Sequence, residues 1–269
     1  MAATSRAPAA VAPVFHEKIW GSTRLSPWFP DSDRKIGEVW FDLHSPAFPI
    51  LTKFIFTTER LSVQVHPADI YAARHENSAG KTEMWYILRA DPGAQVALGL
   101  REAISRERLR ESSQSGEIMD LLNWVEVRPG QCIFVPAGTI HAVGGGLALL
   151  EIQQQSDVTY RLFDYGRARE LHLDRGVEVS HPGPYAGPAV PEGFLARCPY
   201  FATQEVRFDR PQRYQLANGR EHLLVAVEGA GWLNAHEVRP GQVWRIPAGS
   251  EPFPIEPSGA LRFIRTYIP

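Results

Sequence analysis

The 269-residue sequence predicts an all-β fold, made of two jelly-roll β-barrels with one small helical insertion. Three observations lead to this prediction: many short segments rich in β-branched and aromatic residues, turn residues between these segments, and an internal repeat. With 44% hydrophobic residues, the chain can bury a sizeable core. The formal net charge is −2 and both signs of charge are interspersed, which argues against nucleic acid as a partner.

The composition also bears on where the protein works. The first 12 residues hold one arginine and no sustained apolar run, so we expect a flexible tail rather than a secretory signal. No apolar run approaches the roughly 18 residues of a membrane span. Two isolated cysteines, Cys132 and Cys198, fit a reducing compartment. We therefore expect a cytoplasmic protein with no membrane partner, acting as a monomer or weak homodimer.

The first barrel is predicted to span residues 13–180. A helical insertion is expected near 101–124, because a charged segment there is followed by Ile118, Leu121 and Leu122 on one helical face. The strands of this barrel are expected at residues 38–41, 50–56, 61–66, 84–88, 125–127, 132–135 and 147–152.

A proline-rich and glycine-rich segment separates the two barrels. Residues 181–193 contain four prolines and three glycines, which cannot hold a regular ladder or helix, so we interpret them as a linker. The second barrel is then predicted at residues 194–269. Its strands are expected to include 205–208, 223–227 and 243–246.

An internal repeat relates the two barrels. Residues 127–139 and 238–250 are identical at eight of thirteen positions with a constant offset of 111. Each copy has an Arg-Pro-Gly turn, a strand and a Pro-Ala-Gly turn, a pattern typical of the double-stranded β-helix, the cupin type of jelly roll. At this offset His141 corresponds to Pro252, so the second copy lacks a residue that is able to bind a metal.

Polar residues alternate with apolar ones along residues 61–66. Ser62, Gln64 and His66 therefore share one face of a predicted strand. In an ordinary half-exposed strand such a face meets only water. A second histidine, His141, follows a turn at the expected mouth of the same barrel.

Three of these polar residues are candidate metal ligands together with Glu83, which directly precedes the predicted strand at 84–88: the set is Gln64, His66, Glu83 and His141. They offer one amide oxygen, two imidazoles and one carboxylate, a set that suits Zn²⁺, although Mn²⁺, Co²⁺ or Fe²⁺ would also accept it. Each residue alone would more often be structural. The prediction of a metal site depends on their joint placement in one cupin copy.

Four motifs occur in order along the first barrel, with two shorter segments before them. The motifs are SVQVHP at 62–67, GKTEMWY at 80–86, VPAGTIHA at 135–142 and EIQQQSDVTYRLFD at 151–164, and the shorter segments are KIWG at 18–21 and IGEVW at 36–40. Together they resemble the zinc-dependent type I mannose-6-phosphate isomerases, most closely the short bacterial form. The resemblance is dense from about residue 13 to residue 167 and weak after the linker. The chain departs from the family at Ser22, often a second glycine, and at Val39, often a serine.

The resemblance implies a metal-dependent aldose-ketose isomerase that interconverts mannose 6-phosphate and fructose 6-phosphate through an enediol. It implies one Zn²⁺ per chain. The family's metal ligands match Gln64, His66, Glu83 and His141.

The resemblance also implies roles for residues that do not bind the metal. Arg161 matches the family's catalytic arginine, and Lys81 matches a lysine considered for the active site. Ser62 and Lys53 match positions considered for phosphate binding. The carrier of the proton is left open among Lys81, a carboxylate and a metal-bound water.

Two other functions stay open from the sequence. One is a cupin that binds sugars or regulates without turnover, which would bind a ligand but not isomerise it. The other is a cupin dioxygenase, which would usually need redox-active iron and would leave Lys53 and Ser62 unexplained.

Overall fold

The computed structural model describes residues 7–187, 189–215 and 219–269, and it places them in two β-barrels. Strands hold 43% of the described residues and helices 12%, which confirms the all-β prediction. The first strand is β1 (Ala9–Val11). The first barrel then contains β2 (Val14–Ser22), β3 (Ile36–Asp42), β4 (Ile50–Thr57), β5 (Val63–Val65), β6 (Glu83–Ala90), β7 (Gln95–Leu100), β8 (Leu122–Glu126), β9 (Cys132–Val135), β10 (His141–Val143), β11 (Leu147–Gln154) and β12 (Tyr160–Phe163).

The second barrel follows a segment with no strand or helix among its described residues. Its strands are β13 (Ala196–Arg197), β14 (Ala202–Phe208), β15 (Gln212–Tyr214), β16 (His222–Glu228), β17 (Gly231–Leu233), β18 (His236–Val238), β19 (Val243–Ile246), β20 (Phe253–Pro257) and β21 (Leu261–Tyr267). The helices are α1 (Asp69–Glu76), α2 (Arg106–Ser115), α3 (Ile118–Leu121) and α4 (Leu173–Val179). Among the described residues, none of the helices is both long and apolar enough to cross a membrane.

Each barrel consists of two antiparallel sheets. In the first barrel the strand orders are β2-β3-β4-β11-β6-β9 and β12-β5-β10-β7-β8. In the second barrel they are β1-β19-β16-β21-β14-β13 and β15-β20-β17-β18. Side chains alternate between the two faces of each strand, so every second residue of β4, β5, β6 and β11 points into the first barrel.

The internal repeat has the same local structure in both copies. Strands β9 and β19 coincide at the offset of 111. The arginine of each turn donates its backbone N–H to a glutamine side chain, Gln131 at 2.7 Å in the first copy and Gln242 at 3.0 Å in the second. The turn glycines, Gly130 and Gly241, have φ of 85° and 90°, a conformation that glycine adopts without a steric penalty.

The two barrels pack through a common apolar core. The six-stranded sheets face each other, and one continuous cluster of buried side chains contains residues from both. Phe54 and Tyr86 come from the first barrel, while Phe201, Leu223 and Ile264 come from the second. Burial of apolar surface therefore holds the barrels together.

The N-terminal segment differs from the sequence prediction. We expect a flexible tail over residues 1–12, but residues 9–11 form β1, which pairs with β19 of the second barrel. The free edge of β19 offers backbone groups that form hydrogen bonds with residues 9–11. The composition of residues 1–12 does not indicate this pairing. Residues 1–6 of the predicted tail lie outside the described residues, as does Pro188 of the predicted linker.

The helical insertion is confirmed by α2 and α3, which both lie within residues 101–124. Its end differs from the prediction, because α3 stops at Leu121 and Leu122 begins β8 instead of continuing the helix. Leu122 pairs with Leu100 of β7, so the sheet satisfies its backbone groups.

Candidate active site

Three predicted ligands meet inside the first barrel. His66 directly follows β5, Glu83 is the first residue of β6, and His141 is the first residue of β10. One ligand atom from each lies within 4.8 Å of the others. The Nε2 atoms of His66 and His141 are each 3.5 Å from a carboxylate oxygen of Glu83. We call these three residues the His-Glu-His cluster.

The tautomer of each histidine is fixed by a backbone carbonyl. His66 donates Nδ1–H to the carbonyl of Val158 at 2.9 Å, and His141 donates Nδ1–H to the carbonyl of Thr139 at 2.9 Å. Because a carbonyl only accepts, Nε2 of each ring carries a lone pair. Burial lowers the pKa of His66 well below its usual value and that of His141 to about 4, which favours the neutral form that a metal needs.

The cluster fits a divalent metal ion. His66, Glu83 and His141 are at most 1% exposed. His141 Nε2 and Glu83 Oε1 are buried and have no hydrogen-bond partner in the described part of the chain. A buried polar atom left unpaired costs about 1 to 3 kcal/mol. A metal ion bound by two imidazoles and a carboxylate would satisfy these atoms.

Gln64, the fourth predicted ligand, lies beside this cluster in the sheet. It pairs with His141 on β10 and with Arg161 on β12. Its side chain lines an adjacent cavity and is half-buried. Its role as a direct metal ligand stays a prediction.

A cavity of about 250 Å³ opens next to the cluster. Its lining includes five basic and three acidic side chains, an excess of positive charge that suits an anionic ligand. The structure therefore brings together the predicted site residues that are not part of the His-Glu-His cluster. These residues are Lys53, Ser62, Gln64, Lys81 and Arg161.

Lys81 joins the cavity to the cluster. Its Nζ is 2.9 Å from Glu83 Oε2, 3.1 Å from His66 Nε2 and 3.9 Å from Glu151 Oε1. Burial alone would lower the pKa of Lys81, but the carboxylates of Glu83 and Glu151 outweigh burial and raise the pKa above its usual value. Lys81 is thus a buried ammonium group in contact with both the cavity and two candidate ligands.

Two residues of the cavity lining, Lys53 and Glu151, are the middle members of a row of four cross-strand partners. Trp40, Lys53, Glu151 and Trp85 are successive cross-strand partners on β3, β4, β11 and β6. Lys53 Nζ lies 4.3 Å from the centre of the Trp40 ring and 3.5 Å from Glu151. Trp85 donates its indole N–H to Glu151 at 3.2 Å. Lys53 and Trp85 thus hold the Glu151 carboxylate in a fixed position.

Glu151 is a residue to which the sequence reasoning gave no role, although it opens one of the quoted motifs. It is 4% exposed, and burial, followed by the charge of Glu83, raises its pKa. The sequence feature that could have revealed Glu151 is its position as a lone charged residue in the apolar strand Leu147–Gln154. A buried carboxylate with a raised pKa in a cavity is suited to proton transfer.

His172 is a second residue to which the sequence reasoning gave no role, and it supports Arg161. The backbone N–H of Arg161 donates to His172 Nδ1 at 3.1 Å, and the backbone N–H of His172 donates to the Arg161 carbonyl at 2.8 Å. In the neutral ring Nδ1 therefore accepts, and Nε2 carries the proton. His172 also lines the cavity, so this side offers a donor next to Arg161. No sequence motif pointed to it.

Comparisons with known proteins agree with this geometry. No protein-family model matches the chain. The chain is 33% identical to "Mannose-6-phosphate isomerase ManA" of Bacillus subtilis (strain 168), covering 91% of this chain and 94% of that protein. It is 43% identical to "Mannose-6-phosphate isomerase" of Streptococcus mutans serotype c, covering 53% of this chain and 46% of that protein.

The fold is similar to that of a solved structure. The crystal structure of the mannose 6-phosphate isomerase from Bacillus subtilis superimposes with a TM-score of 0.86 and 27% identity. The match covers 97% of this chain and 99% of that one. The likeness therefore extends over both barrels.

Proposed function

Because this chain belongs to the mannose-6-phosphate isomerase family, we propose that it interconverts mannose 6-phosphate and fructose 6-phosphate at the cavity beside its His-Glu-His cluster. One observation carries the proposal: a buried candidate metal site adjoins a cavity whose lining has more basic than acidic side chains. A sugar phosphate is anionic, and formation of the enediol passes through an enediolate, whose negative charge is shared by two oxygens. The site offers positive charge to the phosphate and to the oxygens of the intermediate.

We propose that the ion is Zn²⁺, one per chain, held by His66, Glu83 and His141, with Gln64 as the candidate fourth ligand. Two imidazole nitrogens and one carboxylate are common zinc donors. When bound, the ion would polarise the substrate oxygens as a Lewis acid. The catalytic unit is then the first barrel, residues 13–180, and the barrel at 194–269 is the metal-free unit that covers one side of it.

Glu151 is our candidate for the residue that carries the proton. In the reaction, a proton leaves C2 of the aldose and is returned to C1, while the proton of the C2 hydroxyl moves to O1. The aldehyde thereby becomes a CH₂OH group and C2 becomes a carbonyl, so atoms and charge balance. Glu151 takes the proton from C2 and returns it to C1, because it is a carboxylate in the cavity lining with a raised pKa.

Lys81 and Arg161 act on the substrate oxygens. Both line the cavity, and both are charged donors. Lys81 is held at the boundary with the His-Glu-His cluster by Glu83. Arg161 is held by its paired backbone bonds with His172. Charge-assisted hydrogen bonds from such groups stabilise the negative charge that develops on oxygen.

Ser62 and Lys53 are proposed for the phosphate side, as the sequence predicts. Both line the cavity and both are nearly buried. The charge of Lys53 is partly offset, because its Nζ lies 3.5 Å from Glu151 and 3.9 Å from Asp157. Lys53 therefore contributes less free positive charge than its position suggests.

The test combines metal analysis with an isomerase assay. We expect about one metal ion per wild-type chain and conversion of mannose 6-phosphate to fructose 6-phosphate. His141→Ala should lose both. His75→Ala, which changes an exposed histidine on α1, is the matched control and should retain both. Activity that persists in the chelated protein and in His141→Ala would contradict the proposal, and so would binding of the sugar without turnover.

Two further expectations stay predictions: that the protein is a monomer or weak homodimer, and that it is cytoplasmic. Light scattering over a range of protein concentrations measures the first. Fractionation of the source cells tests the second.

A further inference from the structure

The cavity has two ends at different distances from the His-Glu-His cluster. His66, Gln64 and Ser62 follow one another on the inner face of the segment around β5. Four residues of extended chain span roughly 13 Å, so Ser62 marks the end remote from the cluster. A six-carbon sugar with C1 and C2 near the cluster directs the phosphate on C6 toward this remote end.

The lysines that line the cavity are already balanced by carboxylates. Lys53 faces Glu151 and Asp157, and Lys18 lies 3.5 Å from Glu38. A phosphate carries up to two negative charges and prefers guanidinium groups that donate two parallel hydrogen bonds. Another cation is therefore needed at the remote end.

Arg169 supplies a cation that is held in place. It lines the cavity, and its Nε and Nη2 donate to the two oxygens of Asp164 at 2.6 and 2.7 Å. Asp164 is 2% exposed and also pairs with Arg167 at 2.8 Å. One carboxylate is thus shared by two guanidinium groups, which leaves a surplus positive charge.

The loop that carries Arg169 is anchored beside Ser62. Val63 of β5 pairs with Phe163 of β12, so Asp164 continues the chain next to Ser62. Arg167 Nη2 donates to the carbonyl of Arg60 at 2.9 Å, which ties the loop to the segment before Ser62. Arg161 and Arg169 line the same cavity, so both guanidinium groups can face one ligand.

We propose that Arg169 binds the phosphate of the substrate, and that Asp164 is the positioning residue that holds Arg169 for this contact. The proposal rests on the proposed isomerase function. It assigns the selectivity for phosphorylated over unphosphorylated sugars to a guanidinium group that no motif in the sequence marks. Inorganic phosphate should bind at the same place.

The test compares Arg169→Gln with the wild type. We expect KM for mannose 6-phosphate to rise roughly 10- to 100-fold, the effect of losing one charge-assisted contact. Inhibition by inorganic phosphate should weaken, whereas competitive inhibition by unphosphorylated mannose should change less than threefold. Arg169→Lys should restore part of the affinity. Metal content and melting temperature confirm that each variant is folded.

Arg239→Gln is the matched control, because Arg239 also pairs with a carboxylate, that of Glu237, but lies on the second barrel and does not line the cavity. Its KM should stay near that of the wild type. Asp164→Asn should raise KM with little change in kcat, as expected of a residue that only positions Arg169. An unchanged KM and unchanged phosphate inhibition in Arg169→Gln would overturn this inference alone. A wild type that does not isomerise mannose 6-phosphate would instead overturn the proposed function.

Discussion

Glu83 and His222 occupy equivalent positions in the two barrels. Glu83 on β6 pairs with Val135 on β9, and His222 on β16 pairs with Ile246 on β19, which is Val135 shifted by the repeat offset of 111. His222 is fully buried, and its Nδ1 lies 2.7 Å from the Tyr214 hydroxyl. The second barrel thus keeps an ionisable group at the site of a candidate ligand, but among its described residues no second cluster of potential metal ligands is found.

His222 should make stability depend on pH. Burial, followed by the charges of Arg265 and Arg220, lowers the pKa of His222 from 6.5 to about 4. Between these values the unfolded chain binds more protons than the folded one, so stability rises with pH. On acidification from 6.5 to 4 the protein should lose up to about 3 kcal/mol from this group. Urea unfolding of the metal-free protein at several pH values measures the loss.

A substitution isolates this contribution. His222→Gln should be less stable at pH 7 but should lose less further stability between pH 6.5 and pH 4. His44→Gln, which changes a histidine whose side chain is 84% exposed, is the control. Equal pH profiles of stability for His222→Gln and the wild type would show that His222 is not the source of the pH dependence.

Metal binding should stabilise the fold. The buried atoms Glu83 Oε1 and His141 Nε2 are unpaired in the described residues, so an ion bound there relieves a cost of folding. At free Zn²⁺ of 100 to 1,000 times Kd, the gain should be about 3 to 4 kcal/mol. Denaturant unfolding with and without chelator measures it. Glu83→Gln should show little response to Zn²⁺, and a response equal to that of the wild type would argue against the cluster.

Replacing Glu151 by glutamine should slow catalysis without removing the metal. Glutamine keeps the size of the side chain but does not carry a proton, so kcat should fall about 10²- to 10⁴-fold. Exchange of the C2 proton of mannose 6-phosphate with solvent deuterium, followed by NMR, should fall in parallel. Glu126→Gln changes an exposed carboxylate and serves as the control. Normal exchange in Glu151→Gln would assign the proton transfer to another group.

The common core predicts that the barrels unfold together. Phe201 of the second barrel is fully buried and lies 6.1 Å from Phe134 of the first, ring centre to ring centre. Phe201→Ala should lower the free energy of unfolding by about 3 to 5 kcal/mol and keep a single transition. Trp232→Ala, at a position 47% exposed, should change stability far less. Two separate calorimetric transitions in the wild type would refute the common core.

Local patterns in the sequence predicted much of the fold. The Arg-Pro-Gly turns need a glycine at φ near 90°, so the repeat could be recognised from residue types alone. His66, Glu83 and His141 belong to short motifs, and the structure brings them together. Glu151 is marked locally only as a lone charged residue in an apolar strand, and its partners on the neighbouring strands do not follow from that pattern. Arg169 was not given a role, because its place beside Ser62 depends on strand pairing and on a loop closed by Asp164. Contacts between separate segments leave no local pattern.

The pairing of β1 with β19 has a consequence for how the protein folds. The paired residues are more than 230 positions apart, and every strand of the first barrel lies between them. During synthesis the first barrel is complete before its N-terminal neighbour has a partner. Because β1 and β19 are so far apart in the sequence, their pairing has a high contact order, and we expect this last step of folding to be slow. A chain cut at the linker would leave β1 exposed on one fragment and an open sheet edge on the other, so both fragments should aggregate.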